Sequence, residues 1–551
     1  MSSRITYFKK KGDPYIFATG LGLVVSLAMV AFIILVILFK GLGFFWPRNL
    51  TEVKLKSGKI LLGEIWETDF RYEQDESGKE FKIWELQLKI GNRDLYGADF
   101  RWIDESNIQQ RSDPPFATTF ERMEYGNFYG FIQSVHIGDQ IFQNSPEEKY
   151  LRAKEGLEIA KKLEKKIERY NKELQELTEP LSILDREISL LQISPDKDRP
   201  EIARKLAELT RQADSIEAAI SEEYIRLNDK LTSLSEQISG IYLVVQTADG
   251  QTKNLLLKDV VRFFQPNRMN RWQKIKHYTA KLWEFISADP RESNTEGGVF
   301  PAIFGTVMMV LLMSIAVVPF GVLAAIYLHE YARQGPVVRL IRLSVNNLAG
   351  VPSIVYGVFG LGFFIYILGG SIDQLFFSDK LPQPTFGTGG ILWASLTLAL
   401  LTLPVVVVAT EEGILAVPQA NKEGALALGA TRWQMIRRIV LPNAMPGILT
   451  GLILAISRGA GEVAPLMITG VVKLAPSLPI DGTFPFLHLD RKFMHLGFHI
   501  YDIGFQSPNV EAAKPMVYMT ALLLILIVVL LNLFAIYLRN RLRKKFKMST
   551  F

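Results

Sequence analysis

MVYMTALLLILIVVLLNLFAIYL, residues 516–538, runs without a charged side chain. At about 1.5 Å per residue, a helix of that length spans the ~30 Å hydrocarbon core of a bilayer. Five further apolar runs fall near residues 15–39, 300–328, 348–368, 391–409 and 446–470. Six helical spans follow, and an even count puts both termini on one side. The first run, Tyr15 to Phe39, follows a basic start with Arg4, Lys9, Lys10 and Lys11 and so mimics a signal peptide. It is too long for one, and Lys40-Gly41 stand where a small-residue cleavage site belongs. It reads as a retained helix.

Short cytoplasmic links carry an excess of Lys and Arg, and this fixes the orientation. Residues 1–14, the link with Arg333, Arg339 and Arg342, the link with Lys422, Arg432, Arg437 and Arg438, and the tail 539–551 are all basic. With six spans, all four fall on one face. Residues 40–265, the link around Asp373 and Asp379, and the link 471–514 then face outward. The expectation is a bacterial inner-membrane protein, both termini cytoplasmic and the large insert periplasmic.

The rest of the composition agrees. Of 551 residues, 48% are hydrophobic yet 21% are charged, so no single environment suits the whole chain. The formal charge of +6 concentrates beside apolar spans, as a membrane protein requires, and forms no stripe for nucleic acid. The absence of cysteine excludes a disulfide framework, a thiolate metal site and a cysteine nucleophile. No cofactor is called for.

Within the insert, Val53 to Lys56, Ile60 to Trp66, Lys82 to Ile90 and Phe128 to Val135 read as strands. A hairpin, Ile241 to Gln246 and Lys253 to Leu257 around Ala248-Asp249-Gly250, completes the same small β domain. Two apolar series interrupt it at about 147–238: Ile167, Tyr170, Leu174, Leu177, Leu181, Leu184 and on, then Ile202, Leu206, Leu209, Ala213 and on, parted at Ser194-Pro195 and Arg199-Pro200. Steps of three and four predict an antiparallel coiled-coil hairpin, bent at Pro180 in its first helix. It reads either as a spacer folding on itself or as a dock for a soluble partner. Residues 266–296 form a linker whose stretch 271–286, with Trp272, Trp283 and Lys281, suits a membrane interface or docking on the β domain.

Between the fourth and fifth spans the segment 411–445 contains Glu423-Gly424-Ala425, three residues, Gly429, nine residues, Ile439, then Leu441-Pro442. This resembles the EAA loop of ABC importer permeases. The resemblance implies a helix-turn-helix on the cytoplasmic face that fits a groove of a separate ATPase subunit. Leu426, Leu428, Trp433 and Ile436 would fill the pocket, and Gly429 would make the turn. Gly424 stands where the family usually has Ala, which lowers helix propensity slightly. No G-x-x-x-x-G-K-[ST] sequence occurs, so this chain is a transport subunit without an ATPase site of its own.

From Gly297 onward, Gly297-Gly298-Val299-Phe300-Pro301-Ala302-Ile303 and Asn347-Leu348-Ala349-Gly350-Val351-Pro352-Ser353-Ile354-Val355-Tyr356-Gly357 resemble the PstA-type permease of phosphate ABC importers. The resemblance covers 297–538 and implies a PstC-like second permease, a PstB-like ATPase and a periplasmic PstS-like phosphate-binding protein as partners. In the fifth span, Arg458 and Glu462 stand four residues apart in an apolar run, on one helix face. Buried charge in a span marks a pathway by default, and a guanidinium suits an oxyanion. The family similarly has Arg and Glu there. Arg458 locked to Glu462 as a structural pair is the rival reading. Glu411 and Glu412 either line the exit or are solvated helix-end carboxylates. Val408 stands where the family commonly has an arginine.

The expected architecture is an α-helical polytopic membrane protein with six transmembrane helices of the ABC importer permease type. An extracytoplasmic β domain interrupted by an antiparallel coiled-coil hairpin completes it. The expected function is phosphate import powered by another chain. An importer of another oxyanion or small solute, and a non-transporting membrane scaffold or sensor, are the alternatives.

Overall fold

The computed structural model describes residues 13–74, 80–193, 199–482, 484–507 and 510–547. Arg4, Lys9, Lys10, Lys11 and the Ser194-Pro195 break lie outside them. The chain divides into two compact units, Trp46–Lys281 and Met1–Phe45 with Leu282–Phe551.

Helix α1 (Asp13–Leu42) is the first span. The Trp46–Lys281 unit then folds as two antiparallel sheets, where the sequence reading foresaw one small β domain. Strands β1 (Leu50–Leu55), β2 (Ile60–Gln74), β3 (Glu80–Lys89), β4 (Phe100–Asp104) and β5 (Ile108–Ser112) form a sheet of order β4-β3-β2-β1-β5. Strands β6 (Thr118–Arg122), β7 (Phe128–Ile137), β9 (Ile241–Gln246), β10 (Thr252–Leu256) and β11 (Val260–Phe264) form the second, of order β10-β9-β7-β6-β11. The short β8 (Gln140–Phe142) pairs with β7. Alternation is the cause: in β9, Ile241, Leu243 and Val245 point inward while Tyr242, Val244 and Gln246 do not. Asn92 joins the two sheets. Its amide bonds both backbone groups of Tyr129 at 2.6 and 3.0 Å, and the Tyr129 hydroxyl donates to Glu64 of β2 at 2.9 Å.

Helices α2 (Pro146–Ile193) and α3 (Pro200–Ser239) pack on each other and enter the second sheet alone, between β8 and β9. Helix α2 continues through Pro180. At its root Ala153 and Ala160 are buried against Leu243 and Leu257, and a Cβ on Gly156 would lie 2.9 Å from Leu257. Small residues therefore seat the hairpin on the sheet. Asp94 accepts both Arg122 and Lys253 nearby. Burial alone would raise its carboxyl, but the two cations hold it below its ordinary 3.8. In helix α4 (Arg271–Ser287), Lys281 pairs with buried Glu121 at 2.6 Å, and Trp272 and Trp283 are exposed.

The other unit contains the remaining spans. They are α5 (Phe300–Tyr331), α7 (Ser353–Phe376), α8 (Ile391–Leu415), α10 (Arg432–Gly459) and α13, whose element runs Val510–Lys547. Between them lie α6 (Pro336–Leu348), α9 (Gln419–Ala427), α11 (Ala464–Thr469) and α12 (Leu496–Tyr501). With α1 this makes six helices of spanning length and composition among the described residues. The third and fifth spans depart from the sequence reading for identifiable reasons. The third starts at Ser353, because Ala349 to Pro352 break the backbone after α6. The fifth starts at Arg432 and stops at Gly459, because a π-turn at Ile436–Val440 joins the preceding turn to the span and the Gly459-Ala460-Gly461 stretch ends it.

Close contact of small residues holds α8 to α10. A Cβ on Gly447 would stand 2.7 Å from the Gly413 Cα, and one on Gly451 would meet Ala409 at 2.8 Å. Met309, Met313, Leu398, Ala455 and Phe493 fill the core beside them. Asp373, read as part of an outward-facing link, is buried; its carboxylate accepts the Phe386 and Gly387 amides and pins the 377–390 loop.

Between the fifth and sixth spans, His495 and His499 are buried, and the Nε2 of the first and both ring nitrogens of the second have no hydrogen-bond partner among the described residues. Burial lowers His495 to about 3; burial, with Lys473 nearby, lowers His499 to about 4. Both stay neutral in the fold while the unfolded chain protonates them at 6.5. Stability is therefore full above that value and erodes as pH falls from it toward 4. At about pH 5 each histidine is expected to cost about 2 kcal/mol. Thermal unfolding of the solubilised chain at about pH 7.5 and about pH 5 measures it, with His499→Gln removing roughly half of the difference. A midpoint indifferent to pH across that range contradicts neutral burial.

Candidate functional site

The helices α8 and α10 are linked by a short segment that projects from one end of the bundle. Val417 and Pro418 end the first approach, and α9 follows. Gly429 then takes φ +81°, a left-handed conformation that only glycine adopts without strain, and no heavy atom lies within 4 Å of where its Cβ would be. Thr431 restarts the helix through a capping box with Gln434. The result is helix, turn, helix.

Its two faces differ. Ala425, Met435, Ile436 and Val440 are buried with Ile326, Leu328 and Ile414 of α5 and α8. On the other side Leu428 is 91% exposed, Trp433 52% and Leu426 43%. Three of the four side chains expected to fill a partner's pocket thus face outward. Ile436 does not, because the π-turn rotates it into the bundle. Glu423 and Gly424 lie on the exposed face, with Gln419 donating to Glu423 at 3.2 Å. Ile439, Leu441 and Pro442 are half-buried where the turn runs into α10.

The ion pair at this end was not foreseen. Lys422 donates to Glu330, in the π-turn that ends α5, at 2.7 Å, and only 8% and 13% of the two side chains remain exposed. His329 contacts the same carboxylate at 3.0 Å. Lys422 had been counted only among the basic residues of the link. The available signal was its phase: three positions before Ala425, it lies on the buried face of α9.

Glu411 and Glu412 part company. Arg342 of α6 donates to Glu411 of α8 at 3.2 Å and to the Leu328 carbonyl of α5 at 3.1 Å, so Arg342 ties three elements together. Glu412 is exposed. Val408 is half-buried one turn earlier on α8.

Arg458 and Glu462 are near one another, but not on one helix face. Arg458 occupies the last turn of α10, and Glu462 lies in the irregular stretch before α11. Their closest approach, Nε to Oε1, is 3.9 Å, beyond hydrogen-bond distance, and the side chains are 31% and 22% exposed. From Leu441 to Arg458 the helix rises about 26 Å, so the guanidinium sits toward the far end of the span rather than halfway. Gly459 brings this end against α5, where a Cβ would lie 2.6 Å from the Met313 sulfur.

Residues 317–544 match the family described as binding-protein-dependent transport system inner membrane component. The probable ABC transporter permease protein YqgI of Bacillus subtilis is 31% identical over 238 residues, 42% of this chain and 74% of that protein. The phosphate transport system permease protein PstA of Yersinia pestis is 32% identical over 251 residues, 46% of this chain and 75% of that protein. The protein of the same name from Mycobacterium leprae is 41% identical over 172 residues, and the chain spans 51% of its length. The matched family region begins inside α5 and leaves the Trp46–Lys281 unit outside it. Six spans, and a relative matched over 74% of its own length at 31% identity, place the chain in the family of ABC transporter permeases, the binding-protein-dependent transport system inner membrane components.

Proposed function

We propose that this chain is the permease subunit of an ATP-driven phosphate importer, of PstA type. The observation that carries the reading is the Gly429 turn, which presents Leu426, Leu428 and Trp433 to the outside while its other face is locked into the bundle. Such apolar side chains on a rigid turn suit a groove in a partner. In this reading the partner is a PstB-like ATPase; the EAA-like segment Glu423, Gly424, Ala425, Gly429, Ile439, Leu441 and Pro442 is the coupling element. Phosphate passes between this chain and a PstC-like second permease, delivered by a PstS-like binding protein. Both termini are cytoplasmic and the Trp46–Lys281 unit is periplasmic.

Arg458 is the substrate-path cation in this reading, with Glu462 as its counter-charge. A distance of 3.9 Å leaves the guanidinium donors available to a phosphate oxygen, which supports a path role over a locked structural pair. Glu411, held by Arg342, is structural, and Glu412 alone of that pair stays open to the exit.

Arg458→Ala is expected to lower uptake of labelled phosphate by about ten-fold or more in cells, with the protein still inserted. Gly429→Asp is expected to abolish uptake. Unchanged uptake in both variants contradicts the assignment. For the turn, Leu428→Asp is expected to weaken copurification with the ATPase by roughly 2 kcal/mol or more, as for a buried interface anchor. Equal recovery of the ATPase with variant and parent places the dock elsewhere.

A further inference from the structure

The turn's covalent links reach only α8 and α10, the fourth and fifth spans. Its buried face adds one charged contact to another span, Lys422 on α9 to Glu330 at the end of α5. The contact is short, at 2.7 Å, and largely closed to solvent. The π-turn Tyr327–Tyr331 sets the register at this end, and the His329 Nδ1 contacts the same Glu330 oxygen, Oε1, at 3.0 Å. Around the pair, Ala425, Leu328 and Val338 form a close-packed apolar cluster. A displacement of α9 by an ångström therefore either moves α5 with it or strands a charge in that cluster, and the second outcome is the more costly. Arg342 clamps the same end of α5 through the Leu328 carbonyl and Glu411, so the second and fourth spans are anchored to one another close by. Helix α5 then continues through 32 residues to Phe300, passing Met313, which touches α10 at Gly459 beside Arg458.

We propose that the Lys422–Glu330 pair is the strut through which movement of the exposed turn reaches the second span, and through it the break that holds Arg458. Lys422 and Glu330 are positioning residues in this account. The inference rests on the proposed function, in that an ATPase must push on the turn.

The chain has no cysteine, so spin labels attach only where thiols are introduced. Leu311→Cys on α5 and Leu530→Cys on α13, both exposed positions, provide a pair. Their separation is measured in the purified assembly with its ATPase, with and without a trapping nucleotide, and phosphate uptake is read on the same preparation in vesicles. In the parent, nucleotide is expected to shift the distance distribution. In Lys422→Met and in Glu330→Gln the shifted fraction is expected to fall about ten-fold while the assembly still hydrolyses ATP. The charge-exchanged double variant, Lys422→Glu with Glu330→Lys, is expected to recover most of it. Lys422→Arg, which retains the charge should Lys422→Met not assemble, is expected to keep the shift. A shift that survives in Lys422→Met or Glu330→Gln overturns the strut, as does a parent that shows none. So does a loss of ATP hydrolysis and assembly in step with the shift, without recovery in the exchanged pair. A parent that responds to nucleotide but takes up no phosphate leaves the strut standing and removes only the phosphate assignment.

Discussion

The crossing of α8 and α10 depends on the absence of side chains. Gly413 faces Ala444 and Gly447, and Ala409 faces Gly451, at separations where an added Cβ would overlap backbone or a methyl group. In lipid there is no hydrophobic force between apolar helices, so such close backbone contact supplies the attraction through dispersion and weak polar contacts. The consequence reaches the turn directly. Because the two spans cannot slide past one another without a clash, the helix-turn-helix between them emerges at a fixed angle, with Leu428 outward and Ala425 inward.

The Trp46–Lys281 unit is assembled by a different rule. Its second sheet tolerates a long insertion because β7 and β9, on either side of the α2–α3 hairpin, are direct neighbours in the sheet, and β8 with the Gly138 and Gly240 backbones closes the gap. Inserting at a point where the chain leaves and re-enters side by side costs little loop entropy. The first sheet carries no such insertion, and the Asn92–Tyr129 bonds join it to the second.

The spans, the strand content of the insert and the helical pair were legible because each has a period or a length that water and lipid dictate. Their ends were less so. The sequence from Leu348 to Ser353 is apolar enough to count as membrane, and only Gly350 and Pro352 betray the break between α6 and α7. In the fifth span hydropathy continues past Gly461 into α11, so an average over residues hides a helix end set by two glycines. The turn's outward face was readable from Gly429 and the apolar spacing. Ile436 was misplaced because a π-turn shifts phase by one residue, which a 3.6-residue period cannot anticipate. The partners of Lys422 and Arg342 escaped notice for another reason: helix phase can mark Lys422 as inward-facing, but pairing with the distant Glu330 or Glu411 leaves no local pattern.

The helix end at Gly459 changes what Arg458 can do. In the middle of a continuous helix, a guanidinium four residues from Glu462 would lie beside it along one face, and the pair would neutralise itself. Ending the helix between them separates the charges. Arg458 gains the favourable field of the helix C-terminus, where unpaired carbonyls gather, and Glu462 moves onto backbone that follows a different course. Arg458 then has support besides Glu462, which on the proposed function leaves the cation available to a passing anion. Val408 adds no second cation from α8. On the proposed function, a phosphate path between two permeases would draw its remaining positive charge from the companion chain, so recognition of the anion and association of the two permeases would be one requirement rather than two.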